Sequence, residues 1–248
     1  MKLAGASPRW YGHTMALDLS TLAALADGPA DPQTPLPPEL EDVFKNVDAQ
    51  AEKVRDLKAE FRQTKKMKIR KRPHVVTGNL SVKKTPAGPR ICWESWLLNV
   101  ETGEKLNPQR TLVLADEKLL WSYVVEDNAA EKTDLGKGKF EISEMLTVGG
   151  SLSGMRKSFT VSLGAKPAEG KGWVLDFAPT SDRLKRFVKA LQLEIDPEEW
   201  IVSRVRYVDT ADNVTEILLS NFALNAGVDE KIYEIPKDAK ITVVDFDK

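Results

Sequence analysis

From Leu40 to Phe61 the apolar residues fall mostly three or four positions apart, at Leu40, Val43, Phe44, Val47, Val54, Leu57 and Phe61, with charged residues between them. That stripe predicts one amphipathic helix over 39–65. Pro38 suits a first helical turn, and Glu39, Glu41 and Asp42 suit its positive end. Lys65, Lys66 and Lys68 suit the negative one. From Val76 onward the period drops to two. "VVTGNLSVKK" and "RICWESWLLNV" flank a Pro/Gly turn and read as paired strands, and "TLVLADEKLLWSYVVED" reads as two strands about Asp116–Lys118. "SFTVSLG" and "GWVLDFAP" predict a hairpin, followed by three strands in "VKALQLEID", "WIVSRVRYVD" and "VTEILLSNFAL", turning at "PEE" and "TADN". Residues 139–157 break the rhythm and predict a short helix, a Gly-rich link and a second helical turn. Nine or ten antiparallel strands with one long helix make an α+β domain whose large sheet curls, the helix at 39–65 covering its hollow side.

Residues 1–38 differ. Five prolines between 29 and 38 favour extended backbone, so this stretch reads as a Pro-rich flexible leader, with a helical turn near 17–26, ahead of a domain over 39–248. Arg9, His13 and Asp18 interrupt any apolar run that could serve as a secretory signal. A net charge of −1 over 248 residues argues against nucleic acid as partner, and the basic run "KKMKIRKR" (65–72) reads as a solvated face.

Catalytic chemistry has little to stand on. The chain holds two histidines, His13 and His74, and one cysteine, Cys92, so neither a metal site nor a thiol nucleophile has partners at usable spacing. "GGSLSGMRKS" (149–158) lacks the lysine of a phosphate loop, Met155 standing where it belongs. The carboxylates of "DPEEW" and "EDNAAEKTD" read as solvated turns. No enzyme, metal or cofactor is expected. What remains is aromatic and apolar: a helix and a Gly-rich segment over a curled sheet can enclose a cavity for a hydrophobic ligand. On parity and position, Phe61, Trp93, Trp121, Tyr123, Leu146, Met155 and Phe177 are the candidate wall and lid residues.

The order of motifs resembles the bacterial outer-membrane lipoprotein carriers, the LolA-type periplasmic chaperones. "LKAEFRQTK" (57–65) is similar to that family's first-helix ending, and "GNLSVKKTP…RICWES" (78–95) to its glycine, strand, basic, Pro and Trp sequence. "LADEKLLWSYVVED" (114–127), "WVLDFAP" (173–179) and "VRYVDTADNVTEILLSNFALNAGVDEKIYEIP" (205–236) follow in the family's order. The resemblance covers roughly 40–245. It implies a strongly curved antiparallel sheet forming an unclosed half β-barrel, lidded by one long N-terminal helix and short helices. It implies a monomeric carrier that takes acyl chains of lipoproteins from an inner-membrane ABC transporter, shields them and passes them across the periplasm to an outer-membrane receptor. The family's arginine before the strand-2 proline ties its lid to backbone carbonyls. Here Thr85 precedes Pro86, and Lys83, Lys84 and Arg90 stand nearby, with Lys84 and Arg90 the candidate latch. Asp212 stands where the family has glycine. The alternatives are an envelope-stress sensor or protein-interaction module on the same fold, and an enzyme using the cavity for a hydrophobic small molecule, which would need carboxylates facing inward.

Overall fold

The computed structural model describes residues 35–86, 88–115, 119–134, 151–165, 172–180 and 182–244. Among the described residues, one long helix, α1 (Pro38–Lys53), leads into twelve strands, with a further four-residue helix at Asp182–Lys185. These are β1 (Asp56–Lys66), β2 (His74–Thr85), β3 (Gly88–Leu98), β4 (Lys105–Ala115), β5 (Leu119–Val124) and β6 (Ala129–Asp134), then β7 (Phe159–Leu163), β8 (Trp173–Pro179), β9 (Val188–Ile195), β10 (Val202–Asp209), β11 (Val214–Leu224) and β12 (Lys240–Val244). They form a single curved, unclosed sheet in the order β12-β6-β5-β4-β3-β2-β1-β11-β10-β9-β8-β7. Every ladder is antiparallel except β12 on β6.

The helix is shorter than its stripe predicts. It stops at Lys53, Val54 turns extended, and the "LKAEF" read as a last helical turn is the start of β1. Leu57 and Phe61 are four apart, a spacing that helix and strand share. The intervening positions decide between them: Ala59 and Gln63 are buried with Leu57 and Phe61 while Lys58, Glu60 and Arg62 alternate outward, a strand with one face in the core. The basic run therefore closes a β-hairpin rather than a helix. There Arg72 pairs with Glu101 at 2.9 Å and Lys68 with Asp212 at 3.2 Å.

Two strands escape the alternation. "AAEKTD", inside a stretch read as solvated turn, is β6, and "KITVV" is β12. Both are short and lie at one end of the sheet, β12 as the edge strand and β6 next to it, where side-chain patterning is weak and pairing supplies the order. The β4 strand begins at Lys105, ahead of the predicted Thr111. The predicted second helical turn is a 3-10 turn at Ser153–Lys157, while 139–150 and 17–26 lie outside the described residues. The "TADN" turn holds Asp212 at φ 63, a left-handed residue where glycine is usual, with Asp209 Oδ1 accepting from Ala211 N–H (2.9 Å) and Asn213 N–H (2.8 Å).

Candidate binding site beneath helix α1

Cross-strand register puts one continuous row of side chains, apolar except at Gln63, on the face that α1 partly covers. Leu163, Leu175, Leu193, Val205 and Ile217 lie opposite one another from β7 to β11, and Gln63, Val76 and Leu97 continue the row through β1, β2 and β3. The α1 stripe, Leu40, Val43, Phe44 and Val47, packs on the β7–β10 limb with Phe177, Leu175 and Met155. Leu36, within the stretch read as leader, packs against the same cluster. A second cluster occupies β1–β5 and β11, with Phe61 and Trp93 in contact at a centroid distance of 4.3 Å. The helix thus lies over one half of the apolar face, and Val54, at its exit, belongs to the other half.

The candidate residues separate into three groups. Phe61 and Trp93 meet in the second cluster, and Met155 and Phe177 meet under α1. Trp121 and Tyr123 lie on the opposite face, because Leu120 between Leu119 and Trp121 takes the inward phase of β5. There Trp121 packs with Cys92, Leu114 and Tyr233, and the Tyr123 hydroxyl donates to Asn128 Oδ1 at 3.0 Å. Leu146 lies outside the described residues. The latch candidates also part company. The Lys84 ammonium donates to the Ala51 carbonyl at the last turn of α1, whereas Arg90 points away, bonded to Glu230 at 2.6 Å and stacked over the Tyr233 ring.

Lys84 meets α1 at its last turn, where the Ala51 carbonyl lacks an i+4 amide donor, accepts only the capping Val54 N–H at 3.3 Å from the backbone, and lies at the negative end of the helix dipole. Burial lowers its pKa, and Glu52 nearby raises it in part. Asp48 holds the helix middle, accepting from Leu152 N–H at 2.7 Å and from the Ser153 hydroxyl. Asn225 holds the exit: it accepts from Arg55 N–H at 2.7 Å and donates to the Lys53 carbonyl at 3.2 Å. Polar contacts therefore tie α1 at its middle and C-terminal end, while side-chain burial holds its N-terminal half.

Within the apolar face stand polar atoms, on the candidate Trp93 and on three residues that periodicity did not single out. Gln63 Oε1, Trp93 Nε1, Ser95 Oγ and Thr215 Oγ1 are buried, and none has a hydrogen-bond partner among the described residues. Each such atom costs about 1–3 kcal/mol. The sequence signal was a polar residue in phase with an apolar stripe, as in Leu57-x-Ala59-x-Phe61-x-Gln63, and it became legible only once β1 was a strand. On the opposite face a depression of about 260 Å³ lies over β7–β10, with Asp176, Gln192 and Arg206 in its wall and Gln192 donating to Asp176 at 2.7 Å.

His74 opens β2 with a buried Nδ1 that has no hydrogen-bond partner among the described residues. Burial, then the Arg70 and Lys65 charges, push its pKa below the ordinary 6.5. The unfolded chain therefore takes up this proton first, and stability is lost as pH falls from 6.5 toward the folded-state value. Unfolding free energies in urea between about pH 7.5 and about pH 5 are expected to fall less in His74→Gln than in the wild type. Identical profiles for the two proteins would discount the histidine.

No protein of curated function matches the chain in sequence. Among solved structures it is similar to an uncharacterized conserved protein from Thermus thermophilus, at 13% identity and a TM-score of 0.48 over 83% of this chain and 99% of that one. It is similar to a DUF1329 family protein from Desulfovibrio piger ATCC 29098, at 11% identity and a TM-score of 0.43 over 78% and 95%. MucB shares 9% identity at a TM-score of 0.46, covering 84% of this chain and 66% of MucB. The family described as outer membrane lipoprotein carrier protein LolA matches residues 52–236, from the end of α1 to Pro236, just after a 3-10 turn at Glu230–Tyr233. The chain belongs to the outer membrane lipoprotein carrier protein LolA family.

Proposed function

We propose that this protein is a non-enzymatic carrier that shields the acyl chains of lipoproteins, or of lipids, from water and carries them across the periplasm. Family membership supports a lipid-binding, carrier-type role. The observation that carries the reading is the apolar face running from β7 to β5, half of it covered by α1. An acyl chain gains about 0.8 kcal/mol for each CH₂ moved out of water, so displacing α1 for an acyl chain exchanges one apolar cover for another. Return of α1 competes with the cargo and permits release. In this reading residues 39–248 are the carrier domain, acting as a monomer between an inner-membrane ABC transporter and an outer-membrane receptor.

Native mass spectrometry of the protein mixed with a triacylated lipoprotein, and separately with its unacylated form, tests the reading. A one-to-one complex with the acylated form alone is expected. Equal binding to both would favour a protein-interaction module instead. Lys84→Met removes the tie at the α1 C-terminus and weakens the competing closed state. Its apparent Kd for the acylated partner is expected to fall about tenfold, read by titration. An unchanged or higher Kd would remove Lys84 from the latch.

A further inference from the structure

We propose that the β1–β2 hairpin docks on the surface of an anionic phospholipid bilayer, its cations meeting the headgroup phosphates and Ile69 entering the boundary beneath them. This surface lies outside the apolar face, and the proposal does not depend on the carrier reading. Its basis is what the fold does with "KKMKIRKR" (65–72), a run of six cations and no acid.

The strands present this segment at one end of the sheet. Arg70 N–H donates to the Met67 carbonyl at 3.1 Å, a turn that sets Lys68 and Ile69 at its corner. Ile69 is 92% exposed. Ladder register puts the β3–β4 turn on one side of the hairpin, since Val76 faces Leu97 and Leu98 faces Lys105. It puts the β10–β11 turn on the other, since Lys66 faces Val214. Both neighbours hold the hairpin: Arg72 pairs with Glu101 at 2.9 Å, and Lys68 N–H donates to Asn213 Oδ1 at 3.1 Å. Val100, 46% exposed, stands beside Glu101 on the first of these turns. Two exposed aliphatics on adjoining turns therefore stand among the cations.

The nearest acids are engaged. Glu101 holds Arg72, Asp212 holds both Lys68 and Lys189, and Asp209 accepts from the amides of its own turn. Lys65, Lys66, Arg70 and Lys71 have no ion pair among the described residues. Their field reaches the hairpin's base: after burial, the Arg70 and Lys65 charges are what push the His74 pKa down.

The two chemistries together select the partner. The whole chain carries a net charge of −1, so the positive field is local. A nucleic acid would engage the cations through its phosphates and leave Ile69 and Val100 in water. An anionic bilayer takes both, because clustered Lys and Arg gather at its charged surface while apolar side chains enter the headgroup–acyl boundary.

Sedimentation of the full chain with phosphatidylglycerol-containing vesicles, against pure phosphatidylcholine vesicles, tests the proposal. Binding is expected to be roughly tenfold or more tighter to the anionic vesicles, and to weaken as salt rises from about 0.05 M to about 0.5 M. Arg70→Gln/Lys71→Gln is expected to lose about tenfold of that affinity and Ile69→Ser a few-fold. Both variants should keep the wild-type thermal midpoint, since the altered side chains are exposed, and the wild-type affinity for an acylated peptide. Lipid uptake by the inner face would draw on neutral and anionic vesicles alike and ignore these substitutions. Equal binding to the two kinds of vesicle, or to neither, overturns the proposal and leaves the carrier reading standing. Undiminished binding by both variants overturns the assignment to the hairpin. A DNA duplex bound as tightly as the anionic vesicles would show attraction of charge alone and overturn the membrane as its partner.

Discussion

Gly78→Ala is expected to lose about 3 kcal/mol or more of folding stability, measured by urea unfolding. A methyl at this position would sit 1.8 Å from the Glu94 carbonyl oxygen and 2.8 Å from Cε1 of Phe61. The first contact is backbone, and only separation of the β2–β3 ladder relieves it. The second is a ring already held against Trp93 at 4.3 Å, so Phe61 cannot withdraw without giving up that contact. Glycine is thus required here for close approach of chain and ring, an arrangement in which an aromatic covers the gap that a missing side chain leaves in a sheet. Gly103→Ala is the control. It has φ 73 but nothing within 4 Å of the added methyl, so its cost is backbone strain alone, about 1 kcal/mol. A loss at Gly78 no greater than at Gly103 would show that the crowding is not real.

Val47→Asp is expected to free α1 while leaving the sheet folded. Val47 is 2% exposed in the cluster of α1 with the β7–β10 limb. A carboxylate there must be desolvated without a partner or leave the core, and either weakens docking by several kcal/mol. The sheet has its own ladders and the second cluster, to which the body of α1 contributes no side chain. A helix of 16 residues is marginal in water once undocked, so its amides open with it. Hydrogen exchange at 40–51 is expected to speed by roughly 100-fold or more while β1–β3 slow amides change only a few-fold. The same variant should bind an acylated peptide more tightly, because the competing closed state is weakened. Uniform acceleration across the whole sheet would mean that helix and sheet form one cooperative unit, and α1 could not then serve as a separable lid.

Much of this architecture was legible in the residues. The apolar spacing of Leu40, Val43, Phe44 and Val47 marks a helix with one buried face, and that face is the one α1 buries. Alternation in "GNLSVKK", "RICWES", "WVLDFAP" and "VTEILLS" marks β2, β3, β8 and β11, and the Asp/Asn turn before Val214 marks its hairpin. The glycine of "GNLSV" belongs to the motif order that resembles the LolA-type carriers, and its role is now the Phe61 contact. These features are local: the period of side-chain burial, the φ requirement of a turn and the absence of a side chain are properties of short segments.

The failures have a common physical origin. Residues 54–66 carry apolar positions at a four-residue interval common to both periods, and a partner strand on each side, β11 and β2, decides for β. The edge strand β12 owes its order to pairing with β6, and β6 to pairing with β12 and β5, which no local pattern encodes. Whether Trp121 faces α1 with Phe61 or the opposite side with Tyr233 depends on the relative phase of two strands, and one residue of register exchanges the faces. Lys84 and Arg90, six residues apart on paired strands, reach α1 and Glu230 respectively for the same reason. Local pattern was enough for the helix stripe, most of the strands and the family. Where α1 ends, which aromatics share a face, and that four polar atoms among them lack partners among the described residues were settled by packing, because each depends on contacts between segments far apart in the chain.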